Sequence, residues 1–246
     1  MKKRIIYLVM PLFLSFLWGQ SNSFEISYDA LKMGDELKNT GKMLQEKPMG
    51  FHRVKFENTN LDTVFIAVHG HSSNGYEWVY ALQKMAESTH QTFYYRWDWN
   101  NCPGPASKEL KLAIDSLISN ETGIKHIIVF GHSYGGVIVS NLADDHFNIT
   151  MDIHSLAAPL AGHTRLEINC PDYPRFDHLV LTNNLFQWRT VHRQDGAFKN
   201  IEVNPQLIDI KGSEVFQLPS TFSNGKRLGH NRSISWVMNQ YFKTDK

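Results

Sequence analysis

The chain of 246 residues has almost no net charge, since 25 Lys and Arg stand against 24 Asp and Glu for a formal +1. A field that weak does not gather a polyanion, which argues against nucleic acid as the partner. Cysteine is nearly missing: only Cys102 and Cys170 occur, and their spacing is not the C-x-x-C of a zinc or thiol-redox site. The apolar run from Ile5 to Trp18 is interrupted by Pro11 and Ser15 and falls short of the roughly 18 to 20 residues that span a bilayer. Internal repeats and low-complexity linkers are absent as well. The 42% hydrophobic and 12% aromatic content suits one globular domain with a sizeable core.

The N-terminus reads as a secretory signal peptide over residues 1–23, with the basic Met1-Lys2-Lys3-Arg4 ahead of the apolar run. Cleavage is expected after Gly19 or Ser23, and an uncleaved anchor is the alternative. No Cys follows the run to accept a lipid, so the membrane enters only through this segment. The expected location is exported, periplasmic or secreted. Cys102 and Cys170 each precede a Pro in an apparent loop, and an exported chain would hold them as one disulfide or as two unrelated thiols.

Strand and helix patterns alternate through residues 24–246. Ile26 to Gln45 reads as helix despite Gly34 and Gly41, and Phe51 to Phe56 alternates like an edge strand. Thr63 to Val68 is an unbroken apolar run suited to a strand buried on both faces. Helix is expected over Gly75 to Ser88, strand over Gln91 to Trp97, and helix over Ala106 to Ser119. In the last of these Leu110, Ala113, Ile114, Leu117 and Ile118 share one face. Lys125 to Phe130, Met151 to Leu156, Leu179 to Leu181 and Glu214 to Leu218 read as strands, with helices at Val137 to Ala143 and Ser233 to Phe242. The alternation predicts an α/β fold with a mostly parallel sheet covered by helices on both faces.

The chemistry gathers at strand ends, where such folds build their sites. Ile127 to Gly136, IIVFGHSYGG, reads as strand, tight turn and helix, and places Ser133 in a G-x-S-x-G elbow. A serine hydroxyl needs a base, and in this architecture acid and histidine follow the serine in that order. Of the histidines after Ser133, namely His146, His154, His163, His178, His192 and His230, only His230 comes after the last expected strand, in a turn before the closing helix. It is the candidate base. Asp195, followed by Gly196, is the candidate acid, with Asp209 as its rival; Asp172 and Asp177 precede the strand expected at Leu179. Backbone N–H groups of His71 and Tyr134 are the candidate oxyanion donors. The pair His69 and His71 also has metal-ligand spacing, but the triad explains the strand-end positions better, and neither a metal nor a cofactor is expected.

On these residues the sequence resembles the α/β-hydrolase superfamily, and within it small bacterial lipases and carboxylesterases. The matching pieces are Val68 to Gly75, Gly131 to Gly135, Ser155 to Gly162, Asp195-Gly196 and Gly229-His230, in family order across Thr63 to Phe242. The resemblance implies an α/β-hydrolase domain over residues 24–246, a Ser133-Asp195-His230 triad and an acyl-enzyme route to cleavage of a small-molecule or lipid ester. His71 departs from the pattern, since lipases often carry glycine or an apolar residue there. Only about twenty residues separate Pro159 from Leu179, where many members insert a cap, so no large cap domain is expected.

Thioester or amide cleavage and acyl transfer would use the same triad, and a non-catalytic exported binding protein on this scaffold is the alternative of a different class. Of the aromatics Trp78, Tyr80, Phe93, Tyr94, Tyr95, Trp97 and Trp99, most are expected in the core, as aromatic clusters usually are, and some as pocket residues, with Trp97 to Asn101 the expected rim.

Overall fold

A computed structural model describes residues 24–56, 60–162 and 164–244. The expected signal segment therefore lies outside the described residues, as does His163. Eight strands form one sheet: β1 (Phe24–Ser27), β2 (Gly50–Lys55), β3 (Asn60–Val68), β4 (His90–Arg96), β5 (His126–His132), β6 (Thr150–Leu156), β7 (Asn184–Arg189) and β8 (Glu214–Gln217). Their spatial order is β1-β2-β4-β3-β5-β6-β7-β8, and β2 meets β4 antiparallel while every other pair is parallel.

The sheet centre follows from sequence. Val64 to Val68 and Ile127 to Phe130 are all buried, and alternation sends Val64, Ile66 and Val68 to one face and Phe65 and Ala67 to the other. The first face is covered by α3 (Pro103–Asn120) and α4 (Tyr134–Ser140), through Leu110, Ile114, Val137 and Ile138. The second is covered by α1 (Leu37–Gln45), α2 (Tyr76–Glu87) and α6 (Arg232–Thr244), through Leu44, Trp78, Leu82, Ile234 and Val237. Between Pro159 and β7 there is only α5 (Thr164–Asn169) with its flanking loops, so no large cap covers the strand ends. No helix among the described residues is long and apolar enough to cross a membrane.

Several boundaries differ from the expectation. The Ile26 to Gln45 segment is helical only as α1 and in short 3-10 turns at Tyr28–Ala30 and Gly34–Glu36, because Gly34 takes φ 68 and residues 24–27 pair with β2 as a strand. That pairing also makes β2 an interior strand. The Leu179 to Leu181 segment is not a strand, and Val180 is 77% exposed. The Thr182 and Asn183 N–H groups donate to the Ala143 carbonyl at 2.9 and 3.1 Å, so sheet pairing begins only at Asn184. α3 starts earlier than expected, with Pro103 in its first turn, where a missing N–H costs nothing.

Cys102 and Cys170 are disulfide-bonded, with 5.5 Å between their Cα atoms and 68 residues between them in sequence. The bridge ties the start of α3 to the loop after α5. Replacing both by Ser should lower unfolding free energy by about 2–4 kcal/mol, from a chain-entropy estimate. Urea denaturation of the oxidised wild type and the double variant measures it.

Candidate active site

Ser133 sits where β5 turns into α4, with φ 55 and ψ −119. Such a backbone costs a non-glycine residue about 1–3 kcal/mol and persists only when its surroundings enforce it. Here they do: a Cβ at Gly131 would overlap the Gly135 carbonyl, one at Gly135 the Val68 carbonyl, and one at Gly136 would lie 2.6 Å from the Ala158 Cβ. The turn is fastened by the Ser133 N–H to the Leu156 carbonyl at 2.8 Å and by the Gly136 N–H to the Ser133 carbonyl at 3.0 Å. Its neighbours His132 and Tyr134 are buried, whereas Ser133 keeps partial access to solvent. The side chain is thus presented rather than packed.

His230 reaches this turn from the loop before α6. Gly229 at φ 63 turns the chain, and the His230 carbonyl accepts the Ser233 hydroxyl at 2.5 Å. The His230 ring lies 4.5 Å, centroid to centroid, from His132, the residue before Ser133, and His132 Nε2 is 3.3 Å from the His230 carbonyl. The Phe198 ring presses edge-on at 5.0 Å. Burial, with the neighbouring His230 charge, holds the His132 imidazole well below its usual pKa, so it packs there as a neutral ring.

Asp195 lies in the turn after β7 and is completely buried. Its Oδ2 is 2.9 Å from His230 Nδ1 and accepts the Thr190 hydroxyl at 2.5 Å, while Oδ1 accepts the Ala197 and Phe198 N–H groups at 2.8 and 3.2 Å. A carboxylate only accepts, so the proton between them sits on Nδ1, and in the neutral ring the lone pair is then on Nε2. Gln206 holds Thr190 in turn: its Oε1 accepts the Thr190 N–H at 2.9 Å and its Nε2 donates to the Thr190 carbonyl at 3.3 Å. Burial, the largest single influence, pushes the Asp195 pKa up. The His230 hydrogen bond and charge, the Thr190 hydroxyl and the Ala197 N–H together outweigh it and leave the group below the ordinary carboxylate value.

The structure therefore brings Asp195, His230 and the Ser133 turn together. Asp209, Asp172 and Asp177 are all exposed. Thr190 and Gln206 had no signal in the sequence, since nothing in residue type marks a threonine or glutamine that props a carboxylate. His132 stood in the elbow itself, but its packing against His230 depends on a residue 98 positions away.

The loop after β3 carries the other half of the site. A Cβ at Gly70 would lie 2.9 Å from the His132 carbonyl and 3.0 Å from the Ser133 Cβ, so this loop touches the elbow directly. His69 is fully buried; its Nδ1 donates to the Gly70 carbonyl at 2.9 Å, its Nε2 accepts from Arg96 Nη1 at 2.9 Å, and its carbonyl accepts the Trp97 indole N–H at 2.7 Å. Burial drives its pKa down to about 3. Both ring nitrogens are occupied, so His69 fastens the loop instead of pairing with His71 as a ligand. Ser73 Oγ accepts the Gly75 N–H at 3.1 Å and the Gln45 side-chain N–H at 3.2 Å, and donates to the Glu77 carboxylate. The His71 ring is exposed and packs edge-on against Trp99 at 5.0 Å and Tyr134 at 5.9 Å. Among the described residues, neither the His71 nor the Tyr134 N–H is spent on a carbonyl outside regular helices and strands, and Tyr134 opens a helix, where the N–H has no partner within the helix.

Of the candidate pocket aromatics, Trp78, Phe93, Tyr94, Tyr95 and Trp97 belong to the core, and the Tyr80 hydroxyl bonds Asn239 at 2.5 Å. Trp99 borders a cavity between α1 and the loop after β3. A separate opening of about 450 Å³ lies beside His230, between Gly196-Ala197 and the Arg227 to Arg232 loop.

The sheet order, the strained serine turn and the two loops converging on it define an α/β-hydrolase fold. No family model matches the sequence, and no curated protein does. Among solved structures, the ferulic acid-bound Est1E from Butyrivibrio proteoclasticus superposes with a TM-score of 0.54 at 13% identity, over 80% of this chain and 94% of that one. A proposed thioesterase from Silicibacter sp. superposes with a TM-score of 0.53 at 12% identity, over 91% of each chain. At that identity the likeness is one of fold.

Because the Asp195 pKa is lower folded than the roughly 3.9 of an unfolded Asp, the carboxylate contributes stability that is fully present above about pH 4 and is lost as pH falls towards the folded value. Asp195→Asn has no such group. The loss of unfolding free energy between pH 6 and pH 3, measured by urea titration, should therefore be larger in the wild type than in the variant.

Proposed function

We propose that the chain is an exported serine hydrolase that cleaves carboxylic esters, small-molecule or lipid, through Ser133, His230 and Asp195. The observation that carries this reading is the buried Asp195 carboxylate bonded to His230 Nδ1 beside a serine held at φ 55. A completely buried carboxylate is costly to keep unless its lone pairs are used. Asp195 uses them on two backbone N–H groups, a hydroxyl and the imidazole. That arrangement fixes one tautomer of His230 and directs a basic Nε2 away from the acid.

In the proposed reaction Ser133 Oγ attacks the ester carbonyl as His230 Nε2 takes its proton, and Asp195 stabilises the imidazolium that forms. The backbone N–H groups of His71 and Tyr134 receive the oxyanion. Collapse expels the alcohol, protonated by His230, and leaves an acyl-enzyme. Water activated by His230 then releases the acid and restores Ser133. The Cys102–Cys170 bridge supports export, because disulfides persist in oxidising compartments.

His230→Ala and Asp195→Asn should each lower kcat/KM on a nitrophenyl ester by about 10³- to 10⁴-fold, by analogy with triad replacements elsewhere. Thr190→Val deletes only one charge-assisted hydrogen bond to Asp195 and should cost about ten-fold. Steady-state kinetics on the purified chain read all three. Full activity in Asp195→Asn would remove Asp195 from the mechanism.

A further inference from the structure

α1 lies directly on the loop after β3. A Cβ at Gly41 would fall 2.5 Å from the Tyr76 backbone nitrogen, and one at Gly75 would overlap the Gly41 carbonyl, so two glycines allow helix and loop to touch. The contact opens a groove of about 530 Å³ beside Trp99, the residue that packs on His71. Lys38, Lys42 and Gln45, spaced to share one face of α1, line one wall, and Ser73, Arg96 and Trp99 contribute to the other. Among the described residues no carboxylate lines this groove, and the Glu77 carboxylate on this wall is held behind Ser73 by the Ser73 hydroxyl.

Arg96 is 6% exposed, and its partners are all neutral: the Lys47 carbonyl at 3.4 Å, His69 Nε2 at 2.9 Å, the Trp97 carbonyl at 3.5 Å and the Gln45 carbonyl at 2.9 Å. A guanidinium has five N–H donors, so these contacts leave donor capacity unused. Among the described residues no Asp or Glu forms an ion pair with it. Glu46 pairs with Lys42 at 3.6 Å, and that contact is solvent-exposed and weak. The Asp98 carboxylate acts on Arg96 from beyond ion-pair distance, yet no carboxylate bonds this nearly buried cation, and with Lys38 and Lys42 it leaves positive charge in excess along the groove. An anion in the groove would balance it.

We propose that the groove between α1 and the loop after β3, lined by Lys38, Lys42, Gln45, Ser73, Arg96 and Trp99, is a subsite for a carboxylate or phosphate group carried by the substrate. Ser73 and Asn74 of the loop that carries His71 line it, and Trp99 both lines it and packs on the His71 ring, so an acidic substituent of an ester that extends from Ser133 past His71 is the group it would take. The proposal deepens the ester-hydrolase reading and rests on it for the identity of the reacting bond.

The test has two arms. In the first, Ser133→Ala protein is titrated with succinate and with inorganic phosphate by calorimetry at low salt. The subsite predicts saturable binding that Lys38→Glu/Lys42→Glu weakens about ten-fold or more; preference for succinate assigns a carboxylate, and preference for phosphate a phosphoryl group. In the second, kcat/KM for mono-nitrophenyl succinate relative to nitrophenyl butyrate is compared between wild type and Lys38→Glu/Lys42→Glu. The ratio should fall about ten-fold. Both lysines are exposed, so the variant retains the fold. Binding that the charge reversal weakens, in a chain that hydrolyses neither ester, would keep the subsite and remove the hydrolase reading. Absent or charge-insensitive binding, with or without an unchanged ester ratio, would overturn the subsite.

Discussion

No side chain fits between the β5–α4 turn and the end of β3. Gly135 lies against the Val68 and His69 carbonyls, Gly131 against Gly135, and Gly70 against His132 and Ser133. Because these backbones meet without Cβ atoms between them, the Ser133 residue is forced into the left-handed region and its hydroxyl stands out of the packing. The rest of the site depends on that close approach. It brings the loop that carries His71 beside the start of α4, where Tyr134 lies, and His230 packs on His132 in the same turn. A substituent at any of these glycines would have to push the β5–α4 turn or the start of α4 off the strand ends it touches, in a part of the molecule that is closely packed.

Around this contact the molecule buries charge on two sides and treats it differently. On one side Asp195 is surrounded by donors, and its burial is compensated by the Ala197 and Phe198 N–H groups, Thr190 and His230. Gln206 lies one step further out and fixes Thr190 through its backbone. On the other side Arg96 is surrounded by neutral acceptors and grips His69, whose neutral ring and carbonyl set the course of the loop. The first arrangement is closed and suits a group that must hold one orientation through a reaction. The second is open on the groove side, and that asymmetry is what suggests an anionic ligand.

Much of this was legible in the sequence because the informative features are local. The unbroken runs Val64 to Val68 and Ile127 to Phe130 mark central strands, and the elbow follows directly from one of them. Chain order then selected Asp195 and His230 from many acids and histidines, and the structure places those two 2.9 Å apart. What could not be read depends on tertiary contacts. Leu179 to Leu181 has strand composition, yet Thr182 and Asn183 are tied to Ala143 and the strand forms later. The aromatic cluster from Trp78 to Trp99 does not reveal which of its members are core and which border a pocket, and all of it except Tyr80 and Trp99 is buried in the core. Thr190, Gln206 and the Arg96–His69 pair are invisible without the fold, since their roles lie in what they touch.

The central claim is that Ser133 is a nucleophile activated by His230. Reaction of the folded chain with a fluorophosphonate, followed by peptide mass spectrometry, tests it most directly. The account predicts one adduct, on the peptide bearing Ser133, absent in Ser133→Ala and formed far more slowly in His230→Ala. A folded wild type that takes no label, or a Ser133→Ala chain labelled to the same extent, would contradict it.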